Sequence, residues 1–335
     1  MVNFGIVGFG LHAVKRLMPG FAAARNCRVV ALSRRDLDQA RESARQFAIP
    51  LAFDSAESLC RSPEVQAVLV TTPNSCHLQD VLIAIRHGKP VLCEKPMALN
   101  ASECREMVEA AGKVGVLLGV AHVFRFEESL HRIRDRVASG EIGKPIFVRS
   151  EFSFLAGTDH PRKWMNNPAI AGGGPIPDVG VHCVDALRFI LQDEVVSVSA
   201  QAISDQLSGD VEAAASLLLE FSRGTLGSVM VSFRSPYRTP FEIVGDKGSL
   251  RADDAFSVDK PVVVETKGDR AAKESETLSN SSAYTRQVDA FADAVEGKAT
   301  FPVPGEEGWK NQEVLDAAYR SIKSGRRERV FSAKS

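Results

Sequence analysis

Phe4-Gly5-Ile6-Val7-Gly8-Phe9-Gly10-Leu11-His12-Ala13 is a short apolar run, a glycine turn and the opening of a helical pattern, in that order. The turn fits G-x-G-x-x-A. Such a match means little by itself and gains its meaning from the strand before it and the helix behind it. Gly8 permits the tight turn, and Gly10 lets backbone amides approach a pyrophosphate. The helix start, with Leu11, His12 and Ala13, offers unpaired N–H groups and a positive dipole end to that anion. The stretch therefore reads as the dinucleotide-binding turn of a parallel sheet.

Working outward from it, strands are expected at residues 4–7, 29–32, 67–71, 91–93 and 116–120. Helical patterns fall between or beside them at 11–24, 37–47, 55–61, 78–87 and 102–111. This alternation predicts a doubly wound α/β domain over residues 1–123. The end of the second strand selects the dinucleotide. An NAD-binding chain usually places Asp or Glu there, to accept from the ribose hydroxyls. Here Ser33-Arg34-Arg35 stands instead, and two guanidinium groups and a hydroxyl suit a 2'-phosphate. NADP(H) is expected ahead of NAD(H).

Val91-Leu92-Cys93-Glu94-Lys95-Pro96-Met97 reads as another buried strand, and Glu94 and Lys95 stand at its carboxyl end. Open parallel sheets bind ligands beyond that end. A chain of 335 residues exceeds the usual limit of one core, so a second domain is expected over 124–335. Its strand candidates are 146–154, 196–203, 241–244, 249–252 and 261–265. Residues 212–221 and 225–233 form a hairpin around Ser222-Arg223-Gly224. In 146–154 a period of two puts Ile146, Val148, Phe152 and Phe154 on one face, and Phe147, Arg149, Glu151 and Ser153 on the other. Helices at 129–139, 285–295 and 312–322 complete an α+β unit with a mainly antiparallel sheet. The polar stretch 266–282 reads as a loop. One sheet face has no evident helical cover, which predicts a homo-oligomer.

Composition sets outer limits. Charged residues are 25% and hydrophobic ones 44%, as in globular proteins, and the formal net charge of -1 gives no reason to expect a nucleic-acid or membrane partner. No apolar run reaches membrane-spanning length, and Met1 leads straight into a strand with no secretory pattern. Cysteines 27, 60, 76, 93, 104 and 183 show neither C-x-x-C nor metal-ligand spacing. They read as reduced thiols of a cytoplasmic protein, and no metal is expected.

Gly172-Gly173-Gly174-Pro175 reads as a loop whose backbone can come close to a ligand. The pattern is helical from Asp178, which places Asp178, His182 and Asp185 on one face. A carboxylate and an imidazole four residues apart can hydrogen-bond or reach one hydroxyl together; Asp185 reads as structural. Imidazole titrates near neutral pH, so His182 is the expected proton acceptor and Asp178 the group that orients it. Lys95 would be a cationic donor to the reacting oxygen, and sequence leaves the exchange of these two roles open.

Together, the glycine loop, Thr72-Pro73-Asn74-x-x-His77, Glu94-Lys95-Pro96, Arg125-Phe126, and Gly172-Gly173-Gly174 followed by Asp178-x-x-x-His182 carry a family likeness. The chain resembles the glucose-fructose oxidoreductase/inositol dehydrogenase/rhizopine-catabolism (Gfo/Idh/MocA) family over nearly its whole length. The resemblance implies a Rossmann domain followed by an open-faced sheet domain, with dimers or tetramers formed through that face. It implies hydride transfer between NAD(P) and a sugar, cyclic polyol or keto-sugar. Lys95 matches the lysine that contacts nicotinamide ribose and substrate, with Glu94 on the cofactor side, and Asp178 and His182 complete the catalytic set. Thr72, Pro73, Asn74 and His77 match the loop beside the nicotinamide half. His122 and Arg125 fall where relatives line the substrate pocket, and His160 and Lys163 are further polar candidates there. One departure stands out: Trp164-Met165 replaces the Trp-Arg of some sugar reductases, which leaves Trp164, Arg162 or Lys163 for any role at that point. The same resemblance admits two other readings, an enzyme with permanently bound NAD(P) and a non-catalytic sensor.

Overall fold

The computed structural model describes residues 1–156, 162–268 and 274–330. The chain divides into two compact units, Met1–Val123 with Tyr284–Trp309, and Phe124–Ala283 with Lys310 onward.

The first unit is built on six parallel strands: β1 (Val2–Val7), β2 (Cys27–Ser33), β3 (Leu51–Phe53), β4 (Ala67–Val70), β5 (Val91–Cys93) and β6 (Leu118–Val120), in the order β3-β2-β1-β4-β5-β6. The strand order reverses between β1 and β4, which is the topological switch point at which open parallel sheets bind ligands. Strand β3 was not expected, because three residues between Pro50 and Asp54 are too short to show a period. The expected helix at 11–24 is interrupted by a π-helical turn, Ala13–Leu17, before α1 (Met18–Ala22). Pro19 supplies the reason: it lacks an amide and crowds the carbonyl one turn back, and a widened turn accommodates both.

The remaining helices of this unit are α2 (Leu37–Gln46), α3 (Ala56–Arg61), α4 (Asn74–Arg86) and α5 (Ala101–Val114), and three of them have side-chain caps. Asp36 accepts from Gln39 N at 3.0 Å and Ser55 from Ser58 N at 3.2 Å. Asn100 accepts from Glu103 N at 3.0 Å while Glu103 accepts in return from Leu99 N at 3.1 Å, a reciprocal cap.

Residues 284–309 were expected with the second domain and cluster with the first. Periodicity reveals an amphipathic helix but not which core receives it. The core contacts of Phe291 settle the matter: it is fully buried, 6.0 Å from Phe4 and 5.1 Å from Phe301 between ring centres. Asp289 also accepts from the amides of Arg25 and Asn26, at 2.9 and 3.4 Å. Gly119 makes room for this packing, since a Cβ there would lie 2.6 Å from Phe301.

In the second unit, α6 (Glu128–Ala138), α7 (Pro168–Ala171) and α8 (Val181–Leu191) accompany a ten-stranded sheet. Its strands are β7 (Pro145–Leu155), β8 (Val195–Ile203), β9 (Ala214–Phe221), β10 (Leu226–Ser232), β11 (Arg234–Arg238), β12 (Phe241–Gly245), β13 (Gly248–Ala252), β14 (Pro261–Gly268), β15 (Glu274–Ser279) and β16 (Glu328–Arg329). The β7–β10 pair is parallel and the other pairs are antiparallel, so the sheet is mixed. The expected loop over 266–282 is corrected: β14 extends to Gly268 and pairs with β15 from Pro261↔Ser279 to Thr266↔Glu274. Strand β15 lies at the edge of the sheet and is mostly polar, so its sequence mimics a loop. Alternation in β7 also breaks: Glu151 and Ser153, expected on the wetter face, are buried, and Arg238 pairs with Glu151 at 3.0 Å. The helices α9 (Ala283–Val295) and α10 (Gly305–Ser324) follow β15, and no described helix is long and apolar enough to cross a membrane.

Helix α8 is buried almost throughout, and a chain of ionic groups fixes it. Arg125 is bidentate to Asp185, at 2.8 to 3.0 Å, and Asp185 accepts from Asn311 Nδ2 at 2.7 Å. Arg188 donates to Asn311 Oδ1 at 2.6 Å and to both oxygens of Glu194, which also accepts from Lys310 at 3.0 Å. Buried charges are tolerated only when paired in this way.

Phe291→Ala is expected to cost about 3–5 kcal/mol, read as a lower urea midpoint. The ionic chain adds a pH dependence. Partial burial would raise the Glu194 carboxyl, but Arg188 and Lys310 outweigh it and pull the value from 4.5 to about 2. A lowered folded value stabilises above the unfolded one, and the contribution fades as pH falls from about 4.5 towards 2. Glu194→Gln should therefore be less stable than wild type at pH 6, with the gap closing in urea melts taken at progressively lower pH.

Candidate active site

In the first unit the candidate residues gather on three loops at the carboxyl edge. Gly8 has φ +85° and lies against the next crossing: a Cβ would sit 2.5 Å from Thr72 Cγ2 and 2.8 Å from Thr72 N. Gly10 differs, for the nearest atom to its notional Cβ is Gly8 O at 3.7 Å, so neither crowding nor a left-handed φ requires glycine there. The open space beside it leaves room for a ligand such as a dinucleotide pyrophosphate. The amides of Gly8 and Phe9 are taken by Ser33 O, at 3.2 and 3.0 Å, and the Phe9 ring is buried edge-on to Phe47. The first helical amides lie just beyond, at Leu11 and His12.

At the end of β2, Ser33 is buried, Arg34 half-buried and Arg35 exposed. The Arg34 guanidinium is held over α2: Nη1 donates to Ser43 Oγ at 2.9 Å and Nη2 to Gln39 Oε1 at 2.7 Å. The nearby carboxylate, Asp36, is engaged in capping α2.

After β4, Thr71 Oγ1 donates to Gly8 O at 2.8 Å, and Thr72 Oγ1 to Asp80 at 2.7 Å. Pro73 caps α4 from outside, Asn74 opens it buried, and His77 is enclosed. The His77 ring nitrogens stand 2.8 Å from Thr72 O and 3.0 Å from Pro96 O. Burial lowers its pKa, while the carbonyls of Thr72 and Pro96 pull it the other way. It bridges the Thr72 loop to the Glu94-Lys95-Pro96 turn, whose Lys95–Pro96 peptide is cis. Glu94 in turn contacts the glycine loop, with Oε1 2.9 Å from His12 Nε2. Burial would raise the Glu94 pKa; the charge and hydrogen bond of His12, with Lys95 and His77, lower it. Lys95 is half-buried, and His122, just past β6, is buried.

In the second unit, Asp178 lies in a π-helical turn, Ile176–Gly180, and α8 follows with His182 in its first turn. Arg162 pairs with Asp178 at 3.5 Å. His182 is buried among aromatic rings, 4.5 Å from Phe124 edge-on and 5.9 Å from Phe152 in a stack, and Phe152 in turn stacks on Phe256 at 5.6 Å. Trp164 is half-buried in the turn Lys163–Asn166, and His160 lies outside the described residues. Arg125, expected to line a pocket, is engaged in the ion pair with Asp185, the residue expected to be structural.

The glycine triplet reads differently in the structure. Cβ atoms at Gly173 and Gly174 would lie 1.7 Å from Tyr319 Oη and 2.2 Å from Glu212 O, so these glycines make room for the protein's own groups. Sequence reasoning missed Thr71, Glu212 and Tyr319. Thr71 stood in view beside Thr72 at the end of β4, whereas nothing local marks the other two, far along the chain from the loop they touch. Among the described residues no group of three His, Cys, Asp or Glu side chains is set to hold a metal.

Comparison with known proteins agrees over both units. Residues 2–122 match the model of an oxidoreductase family with an NAD-binding Rossmann fold, and residues 130–251 match the GFO/IDH/MocA C-terminal domain. The chain is similar to a 1,5-anhydro-D-fructose reductase of Ensifer adhaerens, with 32% identity over 92% of each chain. It is also similar to a D-xylose 1-dehydrogenase (NADP(+)) of Haloferax volcanii, with 33% identity over 96% of this chain and 98% of that one. Among solved structures, aldose-aldose oxidoreductase from Caulobacter crescentus complexed with glycerol superposes with a TM-score of 0.91 at 26% identity, over 98% of this chain and 99% of that one.

Proposed function

The chain belongs to the Gfo/Idh/MocA oxidoreductase family, and on that premise we propose that it is an NADP(H)-dependent oxidoreductase acting on a CH–OH group of a sugar, cyclic polyol or keto-sugar. The observation that carries the cofactor half is the glycine turn between β1 and the helix start, within the residues that match an NAD-binding Rossmann family. The NADP(H) preference draws support from Arg34, whose guanidinium is fixed at the end of β2 where an acid would serve NAD. Sugar-acting relatives support the substrate class.

When bound, the nicotinamide supplies the hydride acceptor or donor. The chain's own residues handle charge and protons. Lys95 donates to the reacting oxygen, where negative charge develops as the C–H bond breaks. His182 takes the hydroxyl proton in oxidation and returns it in reduction, and Asp178 orients the imidazole or the hydroxyl. Glu94 balances the Lys95 charge, and Thr72, Pro73, Asn74 and His77 shape the nicotinamide side. His122 and Trp164 are proposed to contact substrate. Arg125 serves that pocket by holding α8 through Asp185.

The exposed sheet face carries Phe147, Leu218, Leu226 and Val244 around a depression of about 320 Å³ that Arg149, Ser228 and Glu242 also line. Contiguous apolar surface of this kind favours association, and a homodimer or homotetramer joined through this face is part of the proposal.

The first test is a panel of D-xylose, 1,5-anhydro-D-fructose, polyols and keto-sugars with each dinucleotide, in which turnover with NADP(H) on at least one sugar or polyol is expected. A charge-assisted contact to the 2'-phosphate is worth ~1.5–3 kcal/mol, so Arg34→Ala should raise the NADP(H) dissociation constant roughly ten- to hundredfold. NAD(H) binding should hardly change. Equal losses for both dinucleotides would refute the preference. Light scattering at micromolar concentration should give a dimer or tetramer, and Leu218→Glu should shift it towards monomer.

A further inference from the structure

We propose that Glu212 and Tyr319 are positioning residues that set the glycine triplet and, through it, the turn presenting Asp178 and the helix carrying His182. This rests on the reading of Asp178 and His182 as the acid/base groups.

The two side chains reach the loop from far along the chain, Glu212 from just before β9 and Tyr319 from α10. Glu212 is 7% exposed, and its Oε1 accepts from Ile176 N and from Tyr319 Oη, each at 3.0 Å. On the other side the loop fits tightly around the pair. Gly173, at φ +151°, has no room for a Cβ beside Tyr319 Oη, and Gly174 has none beside Glu212 O. Gly174 O then accepts from Asp178 N at 3.3 Å, so the backbone that meets Glu212 is also the backbone that starts the Asp178 turn.

Chemistry argues that the arrangement serves placement. A carboxylate removed from water loses solvation, and an apolar side chain of equal volume would stabilise a core at least as well. An apolar group, however, cannot accept from an amide and a phenol hydroxyl at one point, as Glu212 Oε1 does from Ile176 and Tyr319. The residue whose amide it holds, Ile176, begins a π-helical turn, a widened geometry that helices seldom adopt without cause. Loss of the carboxylate would let that turn relax towards ordinary helix and move Asp178 relative to His182.

The test is a comparison of four variants on whichever of D-xylose and 1,5-anhydro-D-fructose the wild-type enzyme turns over. Turnover is measured alongside the NADPH dissociation constant, taken from nicotinamide fluorescence, and thermal melting confirms folding. Glu212→Ala is expected to lower kcat about a hundredfold, the scale of an ångström of misplacement, with cofactor affinity unchanged. Glu212→Gln keeps an acceptor oxygen and should stay within about threefold of wild type. Tyr319→Phe keeps the ring and loses one hydrogen bond, for a drop of about fivefold, and it remains readable if Glu212→Ala fails to fold. His182→Ala is the control. If it loses turnover while folded Glu212→Ala and Tyr319→Phe match wild type, the positioning role is overturned by itself. If His182→Ala keeps turnover, the acid/base reading fails and the positioning role falls with it. A fall in kcat that Glu212→Gln does not rescue also overturns the proposal.

Discussion

The first unit depends on a close approach between two backbones. Gly8 turns the chain with a left-handed φ directly against Thr72, and no side chain fits between them. Thr71 closes the contact by donating to Gly8 O. His77 then ties Thr72 O to Pro96 O, and Glu94 reaches back to His12 on the glycine loop. Three loops from β1, β4 and β5 therefore form one hydrogen-bonded rim. Lys95 lies between Glu94 and Pro96 on this rim. Preorganisation of this kind is how a fold places a charge where a reaction needs it.

The second unit holds its candidate groups by different means. Its helix α8 is set by the ionic chain from Arg125 through Asp185 and Asn311 to Arg188 and Glu194, and by aromatic packing around His182. Arg125 anchors one end of this chain. Its guanidinium is bidentate to Asp185, so its contribution passes through the helix that bears His182.

Much of this was legible in the residues and their spacing. The glycine turn, the alternation of strands and helices, the Ser222-Arg223-Gly224 hairpin and the helix with Asp178 and His182 all follow from local pattern, and local pattern is where periodicity and turn chemistry have force. What stayed hidden was long-range. Residues 284–309 form a recognisable amphipathic helix, yet only the contacts of Phe291 with Phe4 and Phe301 assign it to the first core. Strand β15 is polar because it lies at a sheet edge, and so read as a loop. The glycine triplet looked like a ligand cradle because sequence shows the missing side chains but not Tyr319 and Glu212, which fill the space. Gly10 is the opposite case: the nearest group to its notional Cβ is Gly8 O at 3.7 Å, so crowding does not require glycine there.

The central claim is that Lys95 acts on the transition state of hydride transfer and is not merely part of the cofactor cradle. Lys95→Ala should lower turnover on the best panel substrate by about a hundredfold or more. Over the same comparison the NADPH dissociation constant, followed by nicotinamide fluorescence, should move by less than about threefold, against tenfold for each 1.4 kcal/mol lost. Turnover near the wild-type rate, or a loss fully explained by weaker NADPH binding, would contradict the account.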